Sequence, residues 1–368
     1  VTEYTASKLK ESGFDDSLID VINKIRGLDE QITPSEYQGL MRVLTANLSV
    51  TRMRDPSQIA HSLRTAFKED FNKVANPTDV PRDIFISAYN TAPLSVNVSK
   101  IIQNNKDEFQ AGLTALSKLT EGSVYLTSQK PMEFDNATNV TIAGPHPAGN
   151  VGIQIHHIKP INPGEVIWTV NAQHVITIGK LFQDGYYDPG CVVSIGGSGS
   201  SNPQTVKALI GSSIESLLED QLLNGSQRIV SGDVLTGKRV SSDDYLGFYD
   251  SSVAIINDDV KRPFLGMLAV GSSSTKYSLT NTFLSAGADE FDFTTSQNGE
   301  LRAIVPLNAW EKMLPMDILP NPLYRAILAQ DIEEMEQLGI WECDDEDFAL
   351  CSFACPSKID VGLSLIHI

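Results

Sequence analysis

Cysteine is the residue type whose spacing in this chain comes closest to a known chemistry. Cys351-Ser-Phe-Ala-Cys355-Pro356 reproduces the second half of the ferredoxin motif C-x₂-C-x₂-C-x₃-C-P, in which four thiolates converge on a cuboidal iron–sulfur centre. Counting back from Cys351 by three and by six reaches Phe348 and Asp345, and neither can supply a thiolate. Cys343 is two positions out of register. The segment has the outline of a cluster loop without its ligands. That pattern points to a redox-complex subunit that does not itself carry the centre. Three of the four cysteines fall within 13 positions, which is no secreted disulfide framework, so a reducing compartment is expected. A disulfide between Cys351 and Cys355 is the alternative.

The second candidate is Gly144-Pro145-His146-Pro147-Ala148-Gly149-Asn150, continuing through Val151 to Gly152. It follows a strand candidate, and ligands of open α/β sheets sit beyond the carboxyl ends of the strands. Its glycines permit close backbone approach, and its prolines reduce the entropy lost on binding. His146 can donate a hydrogen bond to a quinone or flavin carbonyl. The plain alternative is a rigid turn between a strand and an extended run. In that extended run His156 and His157 would face opposite ways, so at most one could join His146. A zinc site needs three or four convergent ligands, and no metal site is expected. Gly196-Gly-Ser-Gly-Ser-Ser201 could cradle an anion but lacks the Lys-Ser/Thr of a P-loop, so it reads as a flexible, solvated connector. There is no G-x-S-x-G elbow and no G-x-G-x-x-G after any strand candidate.

Charge and hydropathy narrow the partners. The formal net charge of the 368-residue chain is −18, which excludes a phosphate-backbone partner and adsorption to anionic lipid. No stretch offers the roughly 20 apolar residues of a membrane span, so no direct span is expected. Asp331 to Asp347 holds nine acidic residues and no basic one. Such a run reads as a solvated face, or as a face that steers a basic partner.

The elements that must position these residues are legible in outline. Residues 1–70 read as short helices: Leu18, Val21, Ile22, Ile25 and Leu28 recur at helical spacing, Thr33-Pro-Ser-Glu36 is a capping box, and Asp55-Pro56 precedes Ile59, Leu63 and Phe67 on one face. From 71 to 188 strands and helices alternate. Strand candidates are Ile84–Tyr89, Ser123–Leu126, Val140–Ala143 and Val166–Val170, with helices over Ser99–Leu119 and Asn171–Gln183. Such alternation implies parallel strands with crossover helices, Rossmann-like in outline. Residues 189–260 carry short strands at Cys191–Ile195, Gln204–Ile210 and Arg228–Val230, with a helix at Ser213–Leu218, which suggests a β-grasp unit. Residues 261–320 read as strands and loops. Pro320-Asn-Pro322 marks the start of a helical unit over 321–363, with a helix at Asp331–Gly339. The fold class expected is therefore α/β, a Rossmann-like domain followed by a β-grasp ligand-binding module and a C-terminal helical unit.

Several of these segments together resemble one family. Gln337-Leu-Gly-Ile-Trp-Glu-Cys-Asp-Asp-Glu-Asp-Phe-Ala-Leu-Cys-Ser-Phe-Ala-Cys-Pro-Ser-Lys358 resembles the C-terminal signature of the A subunit of the Na⁺-translocating NADH:quinone reductase. Gly144–Gly149 is similar to a second signature, as are Phe71–Asp83, Tyr89–Pro93, Ile229–Gly237 and Val305-Pro-Leu307, all in order between about 65 and 363. The first 64 residues do not clearly resemble the family. The chain is expected to be a fragment, because the family's β-rich N-terminal domain and an initiator Met are absent, and 364–368 reads as a non-native tail. The resemblance implies a peripheral subunit on the cytoplasmic face of the bacterial inner membrane, in a complex that passes electrons from NADH to ubiquinone and exports Na⁺. It implies that flavins and iron centres belong to partner subunits, some membrane-embedded, that this chain binds no cofactor, and that ubiquinone is its ligand. The rival expectations are an iron–sulfur carrier like the C subunit of the Rnf complex, and a non-redox docking module.

Overall fold

The computed structural model describes residues 67–362, apart from 70–72, 76–78, 220, 223–224, 259–290, 292, 298 and 306–307. The helices expected over residues 1–66, most of the segment 261–320 and the tail 364–368 lie outside the described residues. The chain divides into two compact units, one of residues up to 90 plus 97–190, the other of 91–96 plus 191–368.

The first unit is built on a six-stranded sheet. Its elements in chain order are β1 (Phe67–Glu69), β2 (Lys73–Val74), β3 (Ile84–Ser87), α1 (Val98–Asn104), α2 (Lys106–Leu116), β4 (Val124–Ser128), β5 (Thr138–Thr141), α3 (Val151–Ile158), β6 (Trp168–Val170) and α4 (Ala172–Asp184). The strand order is β2-β1-β6-β3-β4-β5. β6, β3, β4 and β5 run parallel, while β1 and β2 are antiparallel additions at one edge. The central strand carries Ile84, Phe85 and Ile86, all buried, as expected of a parallel strand covered on both faces. Phe67, expected on a helix face, lies instead in β1, paired antiparallel with Val170. Sheet pairing overrode the helical spacing there.

The helix expected over Ser99–Leu119 is two helices. Asn105 breaks it with φ −134° and ψ 47°, and its side-chain amide donates to the Ile101 carbonyl at 2.8 Å. Asparagine offers the backbone this local alternative, which periodicity does not register. α1 is capped by Asn97, whose side chain accepts from the Lys100 N–H at 3.0 Å. α4 is capped by Asn171 and closed by Gly185 in the left-handed conformation, φ 67°. α2 and α4 cross at glycines: a Cβ on Gly179 would lie 1.7 Å from the Glu108 carbonyl oxygen, and one on Gly112 would lie 2.2 Å from that of Val175. At the amino end of β3, fully buried Asp83 accepts from Arg82 Nε and Lys159 Nζ, each at 2.7 Å, and from the Ser123 N–H at 3.1 Å.

The second unit carries a five-stranded sheet: β7 (Gly190–Gly196), β8 (Gln204–Leu209), β9 (Gln227–Ser231), β10 (Lys238–Val240) and β11 (Ser252–Asn257), with the short helix α5 (Ile214–Leu217). The order is β10-β9-β11-β7-β8, with β7 and β11 parallel at the centre. Val193, Ile195, Val253 and Ile255 form its core with Ile214 from the helix and Leu218 just past its end. Residues 91–96, interposed between β3 and α1, belong to this unit: Val96 is buried, and the Leu94 carbonyl accepts from the Ser194 hydroxyl. The loop 196–201 is no solvated connector. Gly199 and Ser200 are buried, the Gly199 N–H donates to the Ile255 carbonyl at 2.9 Å, and a Cβ on Gly197 would lie 2.2 Å from that same oxygen. These glycines let the chain pass against β11.

From Pro320 onward the described residues are mainly helical: α6 (Pro320–Ala329), α7 (Ile332–Gln337) and α8 (Ala349–Ala354), with 3₁₀ turns at Ile340–Glu342 and Asp345–Phe348. Pro320-Asn-Pro322 forms the first turn of α6, where proline's missing N–H costs nothing. Asp331 caps α7 by accepting from the Glu334 N–H at 3.1 Å, and Gly339 follows it with φ 87°. The mixed α/β architecture is the one expected from the sequence.

Candidate functional site

The strand order locates a switch point. The chain runs β3, β4, β5 outward in one direction, then returns to lay β6 on the other side of β3. The order reverses between β3 and β6, and crevices at such reversals, at the carboxyl ends of the strands, are where open α/β sheets bind ligands. The loop Gly144–Asn150 leaves the outermost strand β5 and is tied back to this point. The Tyr89 hydroxyl, just past β3, donates to the Gly144 carbonyl at 2.8 Å. The Ser87 hydroxyl, on the last residue of β3, lies 3.2 Å from the Gly149 carbonyl.

Each residue of the loop has a definite place. Pro145 is exposed and Pro147 buried, while Gly144, His146, Ala148, Gly149 and Asn150 are half-buried. The His146–Pro147 peptide is cis. Two turns fold the loop on itself: the Ala148 N–H donates to the Pro145 carbonyl at 2.9 Å, and the Asn150 N–H to that of Pro147 at 2.8 Å. Of the glycines at 144, 149 and 152 only Gly144 has a positive φ, 159°, close to extended, so left-handed backbone is not what they supply. The segment after the loop is not extended. It is helix α3, with Asn150 at its amino cap and its carbonyl accepting from the Gln154 N–H at 3.2 Å. His156 and His157 therefore do not face opposite ways across a strand; they sit in the last turn of α3 with rings in edge contact at 5.2 Å. Short apolar runs such as Val151-Gly-Ile-Gln-Ile do not separate helix from strand by period alone.

The residues that hold the loop were not visible in the sequence. Gln154, 1% exposed, points its amide from α3 at the loop: Nε2 lies 2.9 Å from Ser87 Oγ, 3.1 Å from the Gly149 carbonyl and 3.2 Å from that of Ala148. Its Oε1 accepts from the hydroxyl of buried Thr127 on β4. Their signal is long-range: Ser87, Thr127 and Gln154 come together only once β3, β4 and α3 are assembled. A separate hollow of about 660 Å³ lies at the carboxyl ends of β4 and β5, lined by Lys106, Gln110, Ser128, Phe134, Asn139 and Thr141 among others, and includes no residue of the loop. Most of its lining is exposed and carries both charges, which suits a planar apolar ring poorly.

The half-motif Cys351, Cys355, Pro356 is packed as core. α8 carries Cys351 and ends at Cys355; both are buried, and no disulfide joins them, all four cysteines being thiols. Cys351 Sγ donates to the Trp310 carbonyl at 3.6 Å, and Cys343 Sγ to that of Gly339 at 3.5 Å. Burial, reinforced by Glu311, Cys355 and Asp347, pushes the Cys351 thiol up to about 12. Burial and the neighbouring carboxylates push Cys343 up as well. Thiols held protonated in this way are poor nucleophiles. Phe348, at a ligand position of the motif, is 1% exposed in the hydrophobic interior. Among the described residues no group of three or more His, Cys, Asp or Glu is placed to hold a metal ion.

The acidic run divides in two. Asp331, Glu333, Glu334 and Glu336 are exposed on and beside α7, but Asp347 is fully buried, so the run is not one solvated face. Burial, then a hydrogen bond with Asp345 and the charges of Glu346, Asp347 and Asp345, push the Asp344 carboxyl up to about 9.

An α/β unit followed by a β-grasp unit defines a class, and two family models give it a name. The model described as the NqrA second alpha/beta domain matches residues 60–187, and the one described as the NQRA C-terminal domain matches 192–242. The A subunit of the Na(+)-translocating NADH-quinone reductase of Pasteurella multocida is 37% identical over 93% of this chain and 77% of its own length. The corresponding A subunits of Saccharophagus degradans (39% identity, 79% of this chain, 67% of that one) and Marinomonas sp. (35%, 91% and 75%) are similar to it too. The chain belongs to the family formed by the A subunits of Na(+)-translocating NADH-quinone reductases. The 93% coverage takes in more than half of residues 1–64, where the motifs alone showed no resemblance. A solved NAD⁺-reducing nickel–iron hydrogenase, air-oxidised, aligns at 11% identity over 67% of this chain and 51% of that one with a TM-score of 0.40, too distant to carry an argument.

Proposed function

We propose that this chain is a peripheral subunit of a sodium-pumping NADH:ubiquinone reductase, and that the loop Gly144–Asn150 receives the quinone head group. The observation that carries the location is the tethering of the loop, by Ser87 and Tyr89, over the carboxyl end of β3 at the switch point. There His146 is offered as donor to a quinone carbonyl, with the loop's own turns holding it in place. The chain itself holds no flavin or iron–sulfur centre in this reading, and NADH, flavins and iron centres reside in partner subunits. Supporting this are Asp345 and the buried Phe348 at two ligand positions of the cluster motif, which also leave the iron–sulfur-carrier alternative short of ligands. No helix among the described residues is long and apolar enough to cross a membrane, so attachment runs through membrane-embedded partners on the cytoplasmic face of the inner membrane. The exposed carboxylates of α7 are the docking face offered to basic cytoplasmic loops of those partners. The division into a Rossmann-like domain (71–188), a β-grasp module (189–260), a β/loop segment (261–320) and a helical unit (321–363) belongs to the same proposal.

Photo-crosslinking of the assembled reductase with an azido-quinone, mapped by peptide mass, tests the site. Label within 144–152 is expected. Replacing His146 by Ala should weaken binding by one neutral hydrogen bond, about 0.5–1.5 kcal/mol. Label confined to the β-grasp module, or none on this chain, refutes the assignment.

A further inference from the structure

We propose that Gln154 is the positioning residue of this loop: through Thr127 and Ser87 it fixes the Ala148 and Gly149 carbonyls, and with them the pose of His146. The proposal rests on the quinone reading above and adds what makes the loop competent.

Gln154 sits in α3 between Ile153 and Ile155, all three buried. Ile155 packs with Phe85 and Ile167, so apolar packing alone would hold this helix to the sheet. A primary amide at such a depth is costly unless its donors and acceptor are met. Here they are. Oε1 takes the Thr127 hydroxyl, and the Ala148 and Gly149 carbonyls set which way the amide faces, because only its nitrogen can donate to them. Nε2 has two hydrogens for three acceptors, Ser87 Oγ and the Ala148 and Gly149 carbonyls, so one hydrogen is shared. Ser87 Oγ in turn lies 3.2 Å from the Gly149 carbonyl and 2.9 Å from that of Tyr89. Thr127 on β4, Ser87 on β3 and Gln154 on α3 thus act as one bracket from three elements, and fully satisfied buried networks of this kind lock a single geometry. The bracket draws the carbonyls of Ala148 and Gly149 inward, as Tyr89 does that of Gly144. With the Gly144, Ala148 and Gly149 carbonyls all held, the backbone is fixed on both sides of His146, the donor assigned above to the quinone.

Two variants in the assembled reductase test this. Gln154→Met keeps length and volume without hydrogen bonds. Gln154→Glu keeps the acceptor for Thr127 but turns a carboxylate on the loop carbonyls; protonation restores one donor, and burial brings that titration into the neutral range. Hydrogen exchange reads the loop without any ligand. The Ala148 and Asn150 amides should exchange about tenfold faster in Gln154→Met, the amount expected from losing one to two hydrogen bonds, with α4 unchanged. Quinone KM should rise about tenfold, the same free energy in binding, with kcat nearly constant. Gln154→Glu should match that defect at pH 8 and recover at pH 6, a pH profile that neither wild type nor Gln154→Met shows. Unchanged exchange at 148 and 150 overturns the positioning role, as does a Gln154→Glu defect that is flat with pH. If exchange responds as expected but wild-type protein takes no azido-quinone label on the loop, the quinone reading falls and the bracket stands.

Discussion

Gly179→Ala is the sharpest test of how the first unit is packed. Alanine is the better helix former, and in the middle of α4 the change should by itself stabilise by about 1 kcal/mol. The structure argues for the opposite sign. The new Cβ would lie 1.7 Å from the Glu108 carbonyl oxygen, 2.7 Å from its carbon and 2.9 Å from the Gly112 nitrogen. All three are backbone atoms of α2, so no rotamer change relieves them. Reaching ordinary contact requires α2 and α4 to part by about 1.5–2 Å, enough to forfeit much of the dispersion between the facing side chains. Both helices are rich in buried apolar residues, Phe109, Leu113 and Leu116 on α2 and Val175, Ile178 and Phe182 on α4. Overpacking of this kind costs about 1–3 kcal/mol when side chains can adjust, and the backbone clash places it at or above the top of that range. A net loss of about 2–4 kcal/mol remains after the propensity gain. Urea unfolding followed by far-UV circular dichroism gives the difference from the midpoint and slope. Gly112→Ala should behave alike, and the double variant should lose less than the sum, because one separation of the helices relieves both contacts. A neutral Gly179→Ala, or one stabilised by about 1 kcal/mol, would show that the helices do not meet at backbone distance.

Three further outcomes are expected. Iodoacetamide at pH 8 should leave Cys343 and Cys351 unmodified in the folded chain and label them within minutes in urea, because burial holds both thiols protonated; Cys191, pushed up to about 11 by burial, should react slowly as well, and anaerobic iron–sulfide treatment should yield no stable four-iron centre. Rapid native labelling of Cys351, or about four irons per chain, would contradict the packing around Phe348. Asp344 holds in the folded chain a proton that the unfolded chain releases near its ordinary 3.8, so its share of stability is complete below about pH 4 and is lost as the pH climbs to about 9. Asp344→Asn should therefore raise the unfolding midpoint at pH 8 and flatten its decline between pH 5 and 8, and an unchanged pH profile would count against a protonated carboxyl at this position. Finally, reversing Glu333, Glu334 and Glu336 to lysine should slow assembly with membrane partners at low salt and lose that effect at high salt, since rim charge acts mainly on encounter rate; a normal assembly rate, with the wild-type protein staying membrane-bound through a salt wash, would move docking to another, more apolar surface.

The mixed α/β fold was legible because its signals are local. Ile84-Phe-Ile reads as a buried strand, and Asn171 and Gly185 bracket α4 as cap and stop. What misled was local too, but ambiguous. Asn105 carries no helix-breaking reputation comparable to proline, yet its side chain competes for the Ile101 carbonyl and splits a helix in two. Glycine-rich 196–201 has the composition of a linker, and only the passage of β11 beneath it shows that the glycines are there for want of room. Within the candidate site, the loop was visible as punctuation, Gly-Pro-His-Pro-Ala-Gly, while its supports were not. Gln154 lies in an apolar run where periodicity treats it as an exception, and Thr127 and Ser87 lie in strands read for their hydrophobic neighbours.

Residues 91–96 give the molecule a property that neither sheet has by itself. The polypeptide leaves the first unit after Asn90, lends six residues to the second, returns at Asn97, and crosses finally after Gly190. Each unit is thus written in two instalments, and neither can be copied out of the gene as one continuous passage. A clone beginning at Cys191 would lack buried Val96 and the Leu94 carbonyl that Ser194 reaches. Recombination between relatives meets the same obstacle: a crossover placed in the obvious gap near Gly190 mates a second unit with a foreign version of its own missing strip. The two units are in this sense heritable only as a pair, so a family built this way should diversify by point substitution in its loops and hardly at all by trading modules.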